Sequence, residues 1–382
     1  VVTRDDLPKE PYANIDLNTV SGNMACTVGN NVYVNGHQVT NEPEGVICGQ
    51  SVHRNEFGIE KGTFWSPDGQ RLAFYRMDET MVSDYPQVDT EARTAEYVPD
   101  KYPMAGTASH KVTVGVYDIA TGKVIYLQAG DPTDRYFSNI AWSPCGKYVY
   151  MMEHPREQNR AELVRYHALT GEKDAVLITE THEKYVEPQH PITFLPWDDT
   201  KFIYHSQKDG FNHLYLYDVE GKELAQLTKG EWLVQEVVGF HEKRKEVIIV
   251  STEVSPLQSN LYAVSVKNGK RRPIGNSEGV HTVQLSASAD WMIDRYSAPT
   301  TPRCIELVSV KDGKSRNVLL DAPNPWAGFN VPEMTVGTLK AADGVTDLYY
   351  RLVKPVNFDP AKKYPAVIYV YGGPHAQMIQ NS

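Results

Sequence analysis

The phrase Thr63-Phe64-Trp65-Ser66-Pro67-Asp68-Gly69-Gln70-Arg71-Leu72-Ala73-Phe74 returns as Ile140-Ala141-Trp142-Ser143-Pro144-Cys145-Gly146-Lys147-Tyr148-Val149-Tyr150. Weaker copies stand at Ile192-Thr193-Phe194-Leu195-Pro196, Val238-Gly239-Phe240-His241 and Val283-Gln284-Leu285-Ser286. A chain that repeats itself builds its core by stacking like units, so this self-similarity restricts the fold more than any single residue does. Each copy is followed by a second hairpin pattern, as in Leu214-Tyr215-Leu216-Tyr217-Asp218-Val219-Glu220-Gly221 and Leu307-Val308-Ser309-Val310-Lys311-Asp312-Gly313. Apolar residues at alternate positions make half-buried strands, and Gly after Asp or Asn supplies the positive φ of a tight hairpin. Two hairpins give a four-stranded sheet. The later units recur at about 45–52 residues, the period of a β-propeller blade.

The pattern therefore predicts an all-β fold, a β-propeller with about six blades present, five clear and one degenerate in residues 23–48. Abundant β-branched residues, 23 Tyr and frequent Gly and Pro agree with many short strands. Within Trp-Ser-Pro-Asp-Gly the Trp is expected to pack between blades and Pro-Asp-Gly to turn the chain. An insertion rich in Pro, Asp, Glu and Thr, residues 82–110, widens the gap between the two full copies. Composition breaks at Asp321-Ala322-Pro323-Asn324-Pro325-Trp326-Ala327-Gly328. Beyond it, residues 334–341, 348–354 and 366–371 read as three strands, with Asp343-Gly344 as a hairpin turn. The expected division is a propeller domain in 1–325 and the start of a different domain in 330–382.

A formal charge of −10 argues against nucleic acid and anionic membrane surfaces as partners. No run of 18 apolar residues is present, so no helical membrane span is expected. The start, Val1-Val2-Thr3-Arg4, has neither Met nor a signal-like segment and reads as a processed or cloned boundary. Cys26, Cys48, Cys145 and Cys304 form no metal-binding spacing. A Cys26–Cys48 bridge is conceivable, but small, partly buried thiols are the plainer reading. The absence of an Asn-x-Ser/Thr acceptor disfavours a glycosylated secreted protein. No cofactor or metal is expected: His182-Glu183 and His241-Glu242 lack the second histidine of a zinc helix, and no phosphate-cradling glycine loop occurs. Gly275-Asn276-Ser277-Glu278-Gly279 matches a nucleophile elbow in letters only. A basic stretch precedes it and another strand follows, whereas the elbow needs a buried strand and then a helix.

The segment from Gly49 to Gly62, directly before the first Trp-Ser-Pro phrase, is polar, does not alternate and interrupts a blade. It carries Arg54-Asn55-Glu56-Phe57-Gly58-Ile59. Taken bare, Glu56 is a surface carboxylate. Near the other end, Tyr364-Pro365-Ala366-Val367-Ile368-Tyr369-Val370-Tyr371-Gly372-Gly373-Pro374-His375 reads as the first core strand of an α/β-hydrolase running into its oxyanion loop.

Together, the Trp-Ser-Pro blades, the Glu-Phe-Gly-Ile insertion and the Tyr-Gly-Gly-Pro phrase resemble the dipeptidyl peptidase IV branch of the prolyl oligopeptidases, and bacterial prolyl tripeptidyl peptidases in particular. Tyr102-Pro103-Met104-Ala105-Gly106-Thr107 and Asp209-Gly210-Phe211-Asn212-His213 add to the likeness, which runs from about Met24 onward. It implies an eight-bladed propeller capping an α/β-hydrolase, with one or two N-terminal blades outside this chain. It implies that Glu56 binds the substrate's free N-terminal amine and that Tyr371 donates to the oxyanion. It also implies that the serine, aspartate and histidine of the triad lie C-terminal to these residues, so that the chain alone is inactive. The implied partners are peptides with a free N-terminus and proline near it, with a homodimer in the full-length form. The implied location is periplasmic, extracellular or outer-membrane-associated. Where dipeptidyl peptidase IV carries two adjacent glutamates, this chain has Arg54-Asn55-Glu56, which leaves dipeptide and tripeptide release both open. The alternatives are a non-catalytic propeller that docks peptides, and an endopeptidase that does not need Glu56.

Overall fold

The computed structural model describes residues 8–314, 316–373 and 376–382. Among these, six antiparallel sheets of four or five strands follow one another along the chain, beside two separate two-stranded hairpins. The first joins Ala13–Leu17, Met24–Val28, Asn31–Val34 and His37–Gln38, each strand beside the next. The third is the meander Arg135–Trp142, Tyr148–Pro155, Arg160–His167 and Lys173–Thr181, and the fourth to sixth repeat that order as far as Arg316–Asp321. Five of these sheets have the four strands and the order of a propeller blade, the second differs in carrying its first strand as two segments, and the architecture is that of a β-propeller.

The expected turns form. Ser66 closes the first Trp-Ser-Pro phrase by accepting at its carbonyl from Gly69 N–H at 2.8 Å and at its hydroxyl from Arg71 N–H at 2.9 Å. The tryptophans join neighbouring sheets, as anticipated. Trp65 Nε1 donates to the Asp16 carbonyl at 3.0 Å, and Trp142 Nε1 donates to the Phe64 carbonyl at 2.9 Å. Apolar faces fill the space between sheets: Ala25, Val32 and Val34 of the first meet Leu72 and Phe74 of the second. Tyr75, Val112 and Val114 of the second meet Phe137, Met151 and Val164 of the third. At about 1.5–3 kcal/mol per fully buried large side chain, these layers carry the stability of the stack.

The structure corrects the sequence reading in two places, at Val46–Cys48 and at residues 366–371. Val46–Cys48, placed in the degenerate first unit, pairs instead with Arg71–Asp78 of the second sheet. Within the insertion, Asp84–Asp89 and Glu96–Lys101 form a two-stranded hairpin. All four cysteines are free, with Cys26, Cys48 and Cys304 buried and Cys145 exposed, which agrees with the plainer reading of unbridged thiols. Residues 366–371 form no strand, and Val367 is 99% exposed. An all-apolar run is a strand for the middle of a sheet, and without flanking strands its backbone groups have no ladder to join.

Two compact units are present. One runs to Lys208 and includes Tyr215–Ala225; the other holds Asp209–Leu214 and Gln226–Ser382. In the second, Met334–Lys340 and Asp347–Val353 pair as a separate hairpin turned at Asp343-Gly344.

Candidate functional site

The first strand of the second sheet is split. Val46–Cys48 pairs with Arg76–Asp78 at one end of the strand Arg71–Asp78 and Thr63–Trp65 with Leu72–Phe74 towards the other, and the chain leaves the sheet between them. The mouth of this excursion is pinched on one residue: Gly49 N–H donates to the Tyr75 carbonyl at 2.8 Å, and Tyr75 N–H donates to the Gly62 carbonyl at 3.0 Å. Gly62 has to be glycine, because a Cβ there would lie 2.1 Å from the Gln50 carbonyl oxygen. The polar, non-alternating segment is thus a closed loop standing out of a blade.

Backbone strain concentrates at its tip. His53, Arg54, Asn55 and Phe57 have φ of 52°, 54°, 63° and 58°, left-handed values that β-carbon-bearing residues avoid. Glu56, among them, is extended at φ −63° and ψ 162°. Each such residue costs on the order of 1–3 kcal/mol and persists only where the surroundings over-determine it. Here they do. Val52, His53, Phe57 and Ile59 are buried, while Arg54, Asn55 and Glu56 are exposed. Phe57 stands edge-on to His154 and against Tyr136, at centroid distances of 4.1 and 5.1 Å. His53 Nδ1 lies 2.9 Å from His110 Nε2, and Phe137 N–H donates to His53 Nε2 at 3.2 Å. Gly58 runs along the backbone of Gln189, whose carbonyl oxygen would lie 2.0 Å from an added Cβ.

Arg54 ties the loop to the inserted hairpin. It pairs with Asp100 at 3.0 Å, donates to the Lys101 carbonyl at 3.4 Å and lies 4.9 Å from the centre of the Tyr102 ring. Its charge is therefore engaged, and the carboxylate of Glu56 is left free of it. Tyr136 reports what surrounds that carboxylate. Burial pushes the phenol up, Arg156 and a hydrogen bond with Gln158 pull it down, and Asp134 and Glu56 push it up again. Arg156 is itself held by the carbonyls of Thr107 and Met104 and by Asp134, at 2.7, 3.4 and 3.0 Å. The arrangement presents a carboxylate, backed by an aromatic floor, on a backbone that cannot easily swing away. Such a group accepts a cation.

Of the two residues singled out from the sequence, Glu56 belongs to this loop in the first unit. Tyr371 belongs to the second unit, at the end of the irregular apolar run, and is 61% exposed. The Pro374 and His375 positions of the Tyr-Gly-Gly-Pro-His phrase lie outside the described residues, as do the first seven residues. The Gly275–Gly279 stretch is a turn between Arg271–Ile274 and Val280–Leu285, with no helix after it. Sequence reasoning missed His110, Tyr136, His154 and Arg156, which reach the loop only through long-range contacts. A large buried ring was legible at Phe57, the single bulky apolar residue between Val52 and Ile59.

The sequence pattern of the dipeptidyl peptidase IV (DPP IV) N-terminal region matches residues 2–303. The chain belongs to this family. A solved structure described as a putative dipeptidyl aminopeptidase IV from Bacteroides ovatus resembles this DPP IV N-terminal chain with a TM-score of 0.92 at 55% identity, covering 98% of it and 56% of that chain. Porphyromonas gingivalis dipeptidyl peptidase 4 gives a TM-score of 0.85 at 25% identity, covering 96% and 54%. Among sequence relatives, a probable dipeptidyl-aminopeptidase B of Metarhizium robertsii is 26% identical over 355 residues, 85% of this chain and 38% of the relative. Human dipeptidyl peptidase 8 is 26% identical over 414 residues, 86% of this chain and 45% of the relative. This DPP IV N-terminal chain therefore spans less than half the length of these two relatives. Among its described residues, no helix is long and apolar enough to cross a membrane.

Proposed function

We propose that this chain is the propeller portion of a serine exopeptidase that releases N-terminal di- or tripeptides after proline, and that Glu56 receives the substrate's free amine. The observation that supports this most is the display of Glu56 on a strained loop whose neighbours on both sides are buried. A flexible surface carboxylate would not need four left-handed residues to hold it. Alone, an exposed ion pair contributes about 0–1 kcal/mol. The pair gains value when the bound peptide itself excludes water from the carboxylate. An acylated N-terminus then leaves Glu56 buried without a partner, at a cost of about 3–5 kcal/mol. Glu56 becomes a ruler that measures from the free N-terminus.

In this reading residues 330–382 begin an α/β-hydrolase domain, Tyr371 donates to the oxyanion, and a C-terminal serine, aspartate and histidine perform acyl transfer. The single carboxylate of Arg54-Asn55-Glu56, with Arg54 committed to Asp100, supports a tripeptidyl as well as a dipeptidyl register. The full-length protein is proposed to be a homodimer located in the periplasm, outside the cell or at the outer membrane, as the family resemblance implies.

The test is hydrolysis by the full-length protein of three reporters: free-amine Xaa-Pro, free-amine Xaa-Xaa-Pro and N-acylated Xaa-Xaa-Pro. Cleavage of the free forms with at least tenfold discrimination against the acylated form supports the reading, and the better free form sets the register. Equal cleavage of all three would remove the ruler, and no cleavage would remove the peptidase.

A further inference from the structure

We propose that His53 and His110 are positioning residues for Glu56: a neutral pair that holds the loop on the third sheet and releases it when protonated. The role of Glu56 rests on the reading above; the pair itself rests on geometry. A backbone N–H can only donate, so Phe137 N–H makes His53 Nε2 an acceptor at 3.2 Å. The ring's own proton is then on Nδ1, which faces His110 Nε2 at 2.9 Å and makes that nitrogen an acceptor too. The chain of donors runs one way, from the third sheet through the loop to the strand Lys111–Asp118 that follows His110. A proton added to His53 Nε2 would face the Phe137 N–H. One added to His110 Nε2 would face the His53 Nδ1–H. Either would set donor against donor in a site where both residues are buried.

The surroundings oppose the extra charge as well. His154 and Tyr136 pack on His53 and its loop from the third sheet, Arg54 is the next residue along the loop, and Arg156 acts on His110 from beyond the strand Tyr148–Pro155. Glu79 and Lys101 share with His110 the lining of a cavity of about 300 Å³ beside the loop. Burial first, then Arg156 and Arg54, pushes His110 down to about 4, and burial with His110 and His154 pushes His53 well below the ordinary histidine range. Once the loop opens, each histidine returns to about 6.5. The closed state therefore binds fewer protons than the open state, and closure weakens as pH falls below about 6.5. At pH 5 opening is favoured by roughly 30-fold for each histidine released.

Hydrogen exchange of the full-length protein between pH 7.5 and 5, corrected for intrinsic exchange rates, reads this directly at the Phe137 amide and the loop amides of Asn55 and Ile59. The expected result is a loss of protection of at least 30-fold by pH 5. His110→Gln, whose amide oxygen still accepts from His53, should remove one proton from the pH dependence. KM for a free-amine reporter should follow the same acid limb more steeply than kcat. Unchanged protection in the wild-type protein would overturn the proposal without requiring any variant to fold, as would an identical pH slope in His110→Gln. Glu56→Gln should keep the exchange response while losing amine preference. If it loses neither, the functional reading fails and the histidine pair stands.

Discussion

Phe57 and His154 meet edge to face, with ring planes at 89°. The left-handed turn that drives Phe57 into this contact is the same turn that leaves Glu56 facing outward. The position of the carboxylate is thus set less by its own contacts than by the burial of its neighbour. The packing of one blade on the next controls what the loop can recognise.

Removing that ring should release the loop. Phe57→Ala is expected to cost about 3–5 kcal/mol of local stability, in the range of large-to-small core changes. Loop protection and discrimination between free and acylated peptides should fall together, whereas Phe57→Leu should retain most of both. Chemical denaturation and the reporter assay measure the two effects.

Gly58→Ala tests the close approach to Gln189. A β-carbon there meets a carbonyl oxygen at 2.0 Å, on top of a φ of 71°. Gly122, at φ 67° with open space around it, supplies the control. Gly122→Ala should cost only about 1 kcal/mol, the backbone penalty alone. Gly58→Ala should cost clearly more and raise KM for free-amine peptides.

Much of this architecture is legible in the sequence. Alternation and Gly-terminated turns located the strands of the later sheets, and Trp65 and Trp142 link neighbouring sheets as their repeated phrase implied. The Glu56 loop stood out because its polar residues break the period of the blade. Its floor did not stand out. His53 reaches His110 across 57 positions and Phe137 across 84, and no local pattern encodes a contact of that range. The expected strand at residues 366–371 failed for a related reason, since an apolar run becomes a strand only beside a partner.

Cys145 departs from the repeat in a way that can be reversed. In the first copy, Asp68 accepts from the Ser66 hydroxyl at 2.6 Å and from Gln70 N–H at 3.0 Å. In the second, Cys145 Sγ lies 3.4 Å from the Ser143 hydroxyl, a weaker partner. Cys145→Asp should therefore stabilise the turn by about 0.5–1 kcal/mol, the net value of a hydrogen bond. Thermal unfolding should rise by about 1–2 °C.

Acid should weaken the fifth sheet through Glu246. Burial pushes this carboxyl up, but hydrogen bonds and charge from Arg272 and Arg244 outweigh it and hold the group below 4.5. A carboxylate lowered in the folded state stabilises above its unfolded value, and that contribution fades as pH falls through the folded value. Arg272→Met should lower the unfolding temperature at pH 7, with a deficit that shrinks below about pH 4.5. Unfolding scans across pH 3–7 measure it.

The most direct measurement is a crystal structure of the full-length protein with a free-amine Xaa-Xaa-Pro peptide bound. The expected result is an N-terminal nitrogen about 2.7–3.2 Å from a Glu56 carboxylate oxygen, with the loop backbone unchanged. A bound peptide whose amine rests on other groups, with Glu56 still in solvent, would contradict the account.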